Sequence, residues 1–226
     1  CVMGAIPQGT FNYFGRMQGL SQETEHAARA LLQATPQPVQ VGTINGRVFL
    51  VDASLGMYPA LLPDREAFLD RFGRRRWVAL LAVLATIIRW RHQLSVQIET
   101  DGQVRNLRTP TLFVGNNPLQ LGRLGLPPEL LAHVGRDTLA ALVVKPIGTL
   151  AMMGLALRGA FGHMGEADQV ESFTFQRLTV RMRSVRRARV AADGELGFMT
   201  QPITFEVCPQ PLMLLIPREE DRVAVE

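Results

Sequence analysis

The sequence predicts a mainly β protein with some helix, built as a sandwich or barrel-like body. Three observations carry that expectation. About eight strand-like segments recur at turn-spaced intervals, and few stretches repeat at helical spacing. The dipeptides Asn45-Gly46, Asp101-Gly102 and Asp193-Gly194 sit where tight turns would join neighbouring strands. With 226 residues, 47% of them hydrophobic, the chain has ample material for one large or two small packed domains.

The opening stretch Ile6-Pro-Gln-Gly-Thr-Phe-Asn-Tyr-Phe-Gly-Arg16 reads as strand, turn and helix. Ile6 can close a strand, Pro7 ends it, Gly9 lets another group approach the backbone, and a helical pattern starts at Asn12. Amides at a helix start favour negative charge, so Gly9, Thr10 and Asn12 are candidates to hold a phosphate, although a turn of this kind with no ligand is the commoner case. Ser21 then caps a short amphipathic helix with Ala27, Ala30, Leu31 and Ala34 on one side. Thr35-Pro-Gln-Pro38 ends it and marks a domain boundary.

Val39 to Ile44 and Arg47 to Ser54 are strands flanking Asn45-Gly46. Asp64 to His92 reads as a helix or helical pair interrupted near Gly73, with Arg74-Arg-Arg76 beside Trp77 and Arg89-Trp-Arg-His92 at the far end. It suits a core helix with solvated ends, or a helix resting on anionic lipid with tryptophan at the interface. Leu94 to Glu99 alternates up to Asp101-Gly102, Asn106 to Val114 is a strand pair, and a Gly/Pro/Leu-rich loop runs on to Gly135. Asp137 to Val144 is a strand and Leu150 to Phe161 a helix. Phe173 to Arg183, Ala188 to Ala192, Ile203 to Val207 and Leu212 to Ile216 complete the strands.

Composition narrows the function classes. Two cysteines, Cys1 and Cys208, far apart and without a metal-ligand pattern, argue against a disulfide framework or a zinc site and fit a reducing compartment. The net charge is +4, and Lys145 is the only lysine. Arginine binds phosphate through its planar fork, so the balance favours anionic partners, nucleic acid or a membrane surface. The longest apolar run, Trp77 to Ile88, is too short to span a hydrocarbon layer of about 30 Å. Cys1-Val-Met-Gly4 lacks the pattern of a secretory signal, and the apolar start reads as the last strand of a preceding domain.

Single residues can be weighed for chemistry. Glu195 follows a hairpin turn at a sheet edge, where it is a solvated turn acid or, near an apolar rim, a general base. Asp137, after Gly135-Arg136, is a strand-start aspartate or an oxygen ligand for a hard cation. His26, His92, His133 and His163 share no spacing and read as surface or structural. Ser54 lacks the glycines of a nucleophile elbow. Arg181 to Arg189 alternates like a solvated sheet face, and no aromatics interleave it as a nucleic-acid surface would require.

Taken in order, several of these pieces resemble the bacterial diacylglycerol kinase-like lipid kinases, a family that includes sphingosine and ceramide kinases. They are Ile6 to Arg16, Asn45-Gly-Arg-Val-Phe49 with Ala53-Ser-Leu-Gly56, Val114-Gly-Asn116, Asp137 with Leu139, Asp193-Gly-Glu195 and the closing Pro-x-Pro-Leu-x-Leu-Leu-Ile-Pro217. The resemblance implies a C-terminal β-sandwich domain over residues 37–217. Before it, residues 1–36 would be the end of an α/β nucleotide-binding domain, whose Gly-Gly-Asp-Gly-Thr loop does not occur here, and residues 218–226 would form a tail. It further implies ATP and Mg2+, with Thr10 on the nucleotide, Glu195 as the base that accepts the lipid hydroxyl proton, and Val134, Asp137 and Leu139 at a magnesium site, the first and last through backbone oxygens. The chain departs from the family in having Tyr13 where many members have aspartate, Arg136-Asp-Thr138 where Asp-Gly is usual, and Leu121-Gly-Arg-Leu-Gly125 in the usually glycine-rich loop.

The expectation is an ATP-dependent kinase for a hydroxyl of diacylglycerol or a related sphingoid lipid, cytoplasmic and peripheral at an anionic membrane surface. No nucleic acid is expected as partner, and a second copy of the chain is left open. The competing expectations are a lipid-binding regulatory module that has lost catalysis and, more weakly, a nucleic-acid binder using the arginine-rich sheet.

Overall fold

The computed structural model describes residues 1–9, 11–59, 85, 87, 93–100, 102–160, 168–183 and 185–224. Two six-stranded antiparallel sheets form the body. The first takes, side by side, β10 (Val170–Phe175), β9 (Leu139–Val144), β8 (Thr111–Gly115), β5 (Asp52–Gly56), β12 (Arg187–Ala192) and β13 (Glu195–Thr200). The second takes β4 (Arg47–Phe49), β3 (Gly42–Ile44), β14 (Ile203–Val207), β11 (Arg177–Met182), β6 (Leu94–Thr100) and β7 (Gln103–Thr109). A small third sheet sets β1 (Val2–Met3) parallel and β2 (Thr35–Val39) antiparallel to β15 (Leu212–Ile216). The mainly β sandwich expected from the sequence is therefore the architecture observed.

The period-two alternation of β8 and β9 sorts their side chains between two cores. Leu112, Val114, Ala141 and Val143 join Leu55, Leu178, Val180 and Phe205 between the sheets. Phe113, Leu142 and Val144 point the other way and pack with Met152, Leu155 and Leu121. Both faces of these strands are covered, which is why they read as unbroken apolar runs. Met152 and Leu155 belong to α5 (Thr149–Ala160), the helix expected over Leu150 to Phe161. At its opposite end the chain carries α1 (Tyr13–Met17) and α2 (Thr24–Leu32).

Several local readings change. The stretch Arg47 to Ser54 is not one strand, because β4 and β5 lie in different sheets. At the corner, the Asp193 carboxylate accepts the amides of Leu50 (2.7 Å), Val51 (2.8 Å) and Asp52 (3.1 Å), satisfying groups that leave one sheet before joining the other. Phe173 to Arg183 likewise divides into β10 and β11 at Gln176. Thr35-Pro-Gln-Pro38 is strand β2, tolerated because β2 is an edge of its sheet, where proline leaves no ladder amide missing. The expected loop up to Gly135 contains α3 (Pro118–Arg123) and α4 (Pro128–Leu131); each starts with proline, a breaker inside a helix but favoured in its first turn. Ser21 does not cap α2, whose N-cap is Glu23; the Ser21 hydroxyl accepts from the Glu23 amide instead.

Of Asp64 to His92 only Ala85 and Ile87 are described, both helical, so the arginine and tryptophan flanks lie outside the described residues. No helix among the described residues is long and apolar enough to cross a membrane.

Candidate functional site

Hydrogen bonds join the loops singled out in the sequence into one polar network. It begins at the opening turn, where Asn12 is left-handed (φ 49°) and its Oδ1 accepts from the Gly9 amide at 2.7 Å. The Gly9 amide therefore already has a partner. Thr10 lies outside the described residues. Tyr13 stacks on Phe11 at 5.5 Å, and the Arg123 guanidinium lies 5.8 Å from the Tyr13 ring centre.

Asn117 connects this turn to the sandwich. Its Nδ2 donates to the Tyr13 carbonyl at 3.0 Å, and its Oδ1 accepts from the Gln120 amide at 3.0 Å, capping α3. That cap places Gln120 one turn into the helix, where its Nε2 donates to Asp52 Oδ2 at 2.8 Å. Asp52 is 6% exposed, and its Oδ1 has no partner. Burial pushes its carboxyl up from 3.8 to about 6; the Gln120 hydrogen bond opposes the rise and the Asp193 charge adds to it.

On the other side of Asp52 lies the β12–β13 turn. Asp193 and Gly194 both have positive φ (48° and 83°), the tight hairpin expected from Asp-Gly. Glu195, the first residue of edge strand β13, is exposed and accepts from Arg47 Nη2 at 2.5 Å. A pair so open to solvent adds little stability but limits where the carboxylate points.

Asn116 carries the network to Asp137. Asn116 Nδ2 donates to the carbonyls of Gln40 and Leu50, while Gln40 Nε2 donates to Asn116 Oδ1 and the Thr138 carbonyl. The Asp137 amide donates to Gln40 Oε1 at 2.7 Å. Asp137 is exposed and left-handed (φ 63°), on a tight loop closed by a bridge between Val134 and Thr138. Val134 and Asp137 thus belong to one loop and Leu139 opens β9 directly after it, and a carboxylate with main-chain oxygens is the donor chemistry a hard cation takes. Among the described residues no cluster of three or more His, Cys, Asp or Glu could hold a metal ion.

Beside the network lies a cavity of about 290 Å³ between the outer face of the first sheet and α5. Met57, Phe113, Leu142, Met152 and Leu155 make most of its wall apolar, and Gln120 stands in that wall.

No family model matches the sequence. Among solved structures, one from Bacillus anthracis str. Sterne provisionally named a diacylglycerol kinase superposes with a TM-score of 0.66 at 22% identity, over 97% of this chain and 70% of its own. Another, described as a diacylglycerol kinase of the same organism, superposes with 0.62 at 19% identity, over 97% and 68%. The chain has the diacylglycerol kinase fold. Within it, the opening turn, the Asp137 loop and the Glu195 turn, distant in sequence, are tied to one network.

Asp52, Gln120 and Gln40 were not among the candidates from sequence. An acid within the apolar Val48-Phe-Leu-Val-Asp-Ala53 run is a signal that could have marked Asp52. Gln40 and Gln120 carry no such signal.

Proposed function

We propose that this chain serves an ATP-dependent lipid kinase, passing the γ-phosphate to a hydroxyl of diacylglycerol or a related sphingoid lipid. The observation that carries the reading is an apolar cavity lying against a polar network that reaches Glu195, Asp137 and the opening turn, within a diacylglycerol kinase fold. The lipid chain occupies the cavity and its head faces Gln120. Glu195, oriented by Arg47, accepts the hydroxyl proton as the lipid oxygen attacks the γ-phosphorus and the bond from that phosphorus to the β–γ bridging oxygen breaks, releasing ADP. Val134, Asp137 and Leu139 would hold Mg2+, which would supply positive charge against the phosphates. Gly9, Thr10 and Asn12 would serve the nucleotide.

The test is transfer of radiolabelled phosphate from ATP to a lipid panel by the protein carrying its nucleotide-binding domain. Labelled lipid is expected, and Glu195→Gln should lower turnover about 100-fold or more with lipid binding intact. Near-normal turnover in that variant would remove Glu195 as the base. A second reading, lipid binding without catalysis, draws on Tyr13, engaged by Phe11 and Arg123. Lipid binding with no transfer to any lipid would favour it.

A further inference from the structure

Six arginines stand on the second sheet or directly after its strand β11. Four of them meet an acid: Arg47 meets Glu195 at 2.5 Å, Arg105 meets Glu171 at 2.6 Å, Arg177 meets Glu206 at 3.3 Å and Arg181 meets Glu99 at 3.0 Å. Arg108 and Arg183 meet none among the described residues. These two share one open groove of about 250 Å³, which also takes in Ser95, Asn106, Val96 and Leu107.

Strand register brings them together. Val96 and Leu107 pack toward the core between the sheets, so their neighbours Ser95, Asn106 and Arg108 face outward. Ser95 pairs with Arg108 across β6 and β7. On its other side the Arg183 amide donates to the Ser95 carbonyl at 3.3 Å, one step beyond the pairing of Met182 with Val96. The small serine therefore lies in a row between two arginines whose backbones are two strand spacings, about 10 Å, apart. Glu99, the only acid in β6, β7 or β11, is held by Arg181. Neither the Ser95 hydroxyl nor the Asn106 carboxamide bonds to another described residue. Two guanidinium forks, a hydroxyl and an amide, with no free acid on their strands, are the donors that a phosphate group takes.

The groove lies at the opposite end of the strands from the polar network. Asp52 opens β5 and Leu139 opens β9 beside that network. At the far end Val144 closes β9, and its carbonyl accepts from the Thr109 hydroxyl at 2.8 Å, next in the chain to Arg108. We propose that Arg108 and Arg183, with Ser95 and Asn106, form a binding site for one phosphate group, apart from the place where phosphate would be transferred. The site goes beyond the kinase reading and does not depend on it. Thr111 and Val144 also line the apolar cavity at this end, so the group has two sources: a phospholipid head group and a free phosphate ion.

Two measurements without ATP test the site and separate the sources. Inorganic phosphate is titrated calorimetrically at constant ionic strength, and vesicles of phosphatidylcholine with and without phosphatidic acid are co-sedimented with the protein. Arg108→Gln and Arg183→Gln should each weaken phosphate-dependent binding about tenfold, the loss of one charge-assisted contact. Both side chains are exposed, so neither substitution disturbs the core. Arg177→Gln makes the same charge change at an acid-paired arginine of this sheet and should leave binding as it was. Loss confined to inorganic phosphate assigns the site to the free ion, and loss of the preference for phosphatidic acid assigns it to a head group; either supports the site. Absence of phosphate-dependent binding by the wild-type protein in both measurements would overturn it. So would binding that Arg108→Gln or Arg183→Gln leaves unaltered in both, or an equal loss in Arg177→Gln. Because phosphoryl transfer is measured separately, failure of this site leaves the kinase reading standing, and failure of transfer leaves the site standing.

Discussion

At neutral pH the Asp52 carboxyl is mostly ionised, although it is 6% exposed and has one oxygen without a partner. That charge works against folding. Its pKa is raised from 3.8 to about 6 on folding, so between these values the folded state holds the proton more firmly than the unfolded chain. Stability contributed by this group is full below pH 3.8 and is lost as pH rises to about 6. The rise from 3.8 to about 6 corresponds to about 3 kcal/mol as an upper figure. Asp52→Asn is therefore expected to raise the Tm at pH 7 and to flatten the difference in stability between pH 4 and pH 6, read by thermal melts of both proteins across that range. A lower Tm at pH 7 would contradict this account. Such a cost suits a residue kept for a ligand rather than for the fold.

Helix α3 is short, with six residues, and owes its position to its cap. Asn117 is 3% exposed and makes two bonds, one to the Gln120 amide inside the helix and one to the Tyr13 carbonyl on α1. Asn117→Ala should cost about 2 kcal/mol, the loss of a cap plus an unsatisfied carbonyl, seen as a lower urea midpoint at unchanged slope. Asn117→Asp should recover part of it, since a carboxylate still caps the helix but cannot donate to Tyr13. The same device that orders α3 also sets Gln120 against Asp52.

For the whole molecule, the net charge of +4 with arginine as nearly all of its positive charge matters more than any single ion pair. Several arginines are engaged on the surface: Arg105 with Glu171, Arg181 with Glu99, and Arg177 with Glu206. The arginine-rich stretch Arg181 to Arg189 is divided between β11 and β12 in different sheets, so it is not the single basic face a nucleic-acid groove would use. For an anionic membrane as partner, co-sedimentation with vesicles rich in phosphatidylglycerol should exceed that with neutral vesicles and should fall as salt is raised from about 0.05 to 0.5 M. Binding that is indifferent to lipid charge would remove the expectation of an anionic membrane surface as partner.

The sequence by itself determined what depends on neighbours along the chain. Asn45-Gly46 and Asp193-Gly194 make hairpin turns because their left-handed backbones need no distant support, and the apolar runs of β8 and β9 announce strands covered on both faces. The ordered motifs also pointed to the correct fold. Tertiary structure alone decided where polar groups without local partners would find them. The break between β4 and β5 depends on Asp193, 142 residues from Val51. Thr35 to Val39 became an edge strand only because β15 lies beside it, and Asp52 meets Gln120 across 68 residues. Burial gives Asp52 its raised pKa and leaves Gln120 Oε1 without a partner. Neither is a property of residue type or spacing, because both arise where separate segments exclude water together.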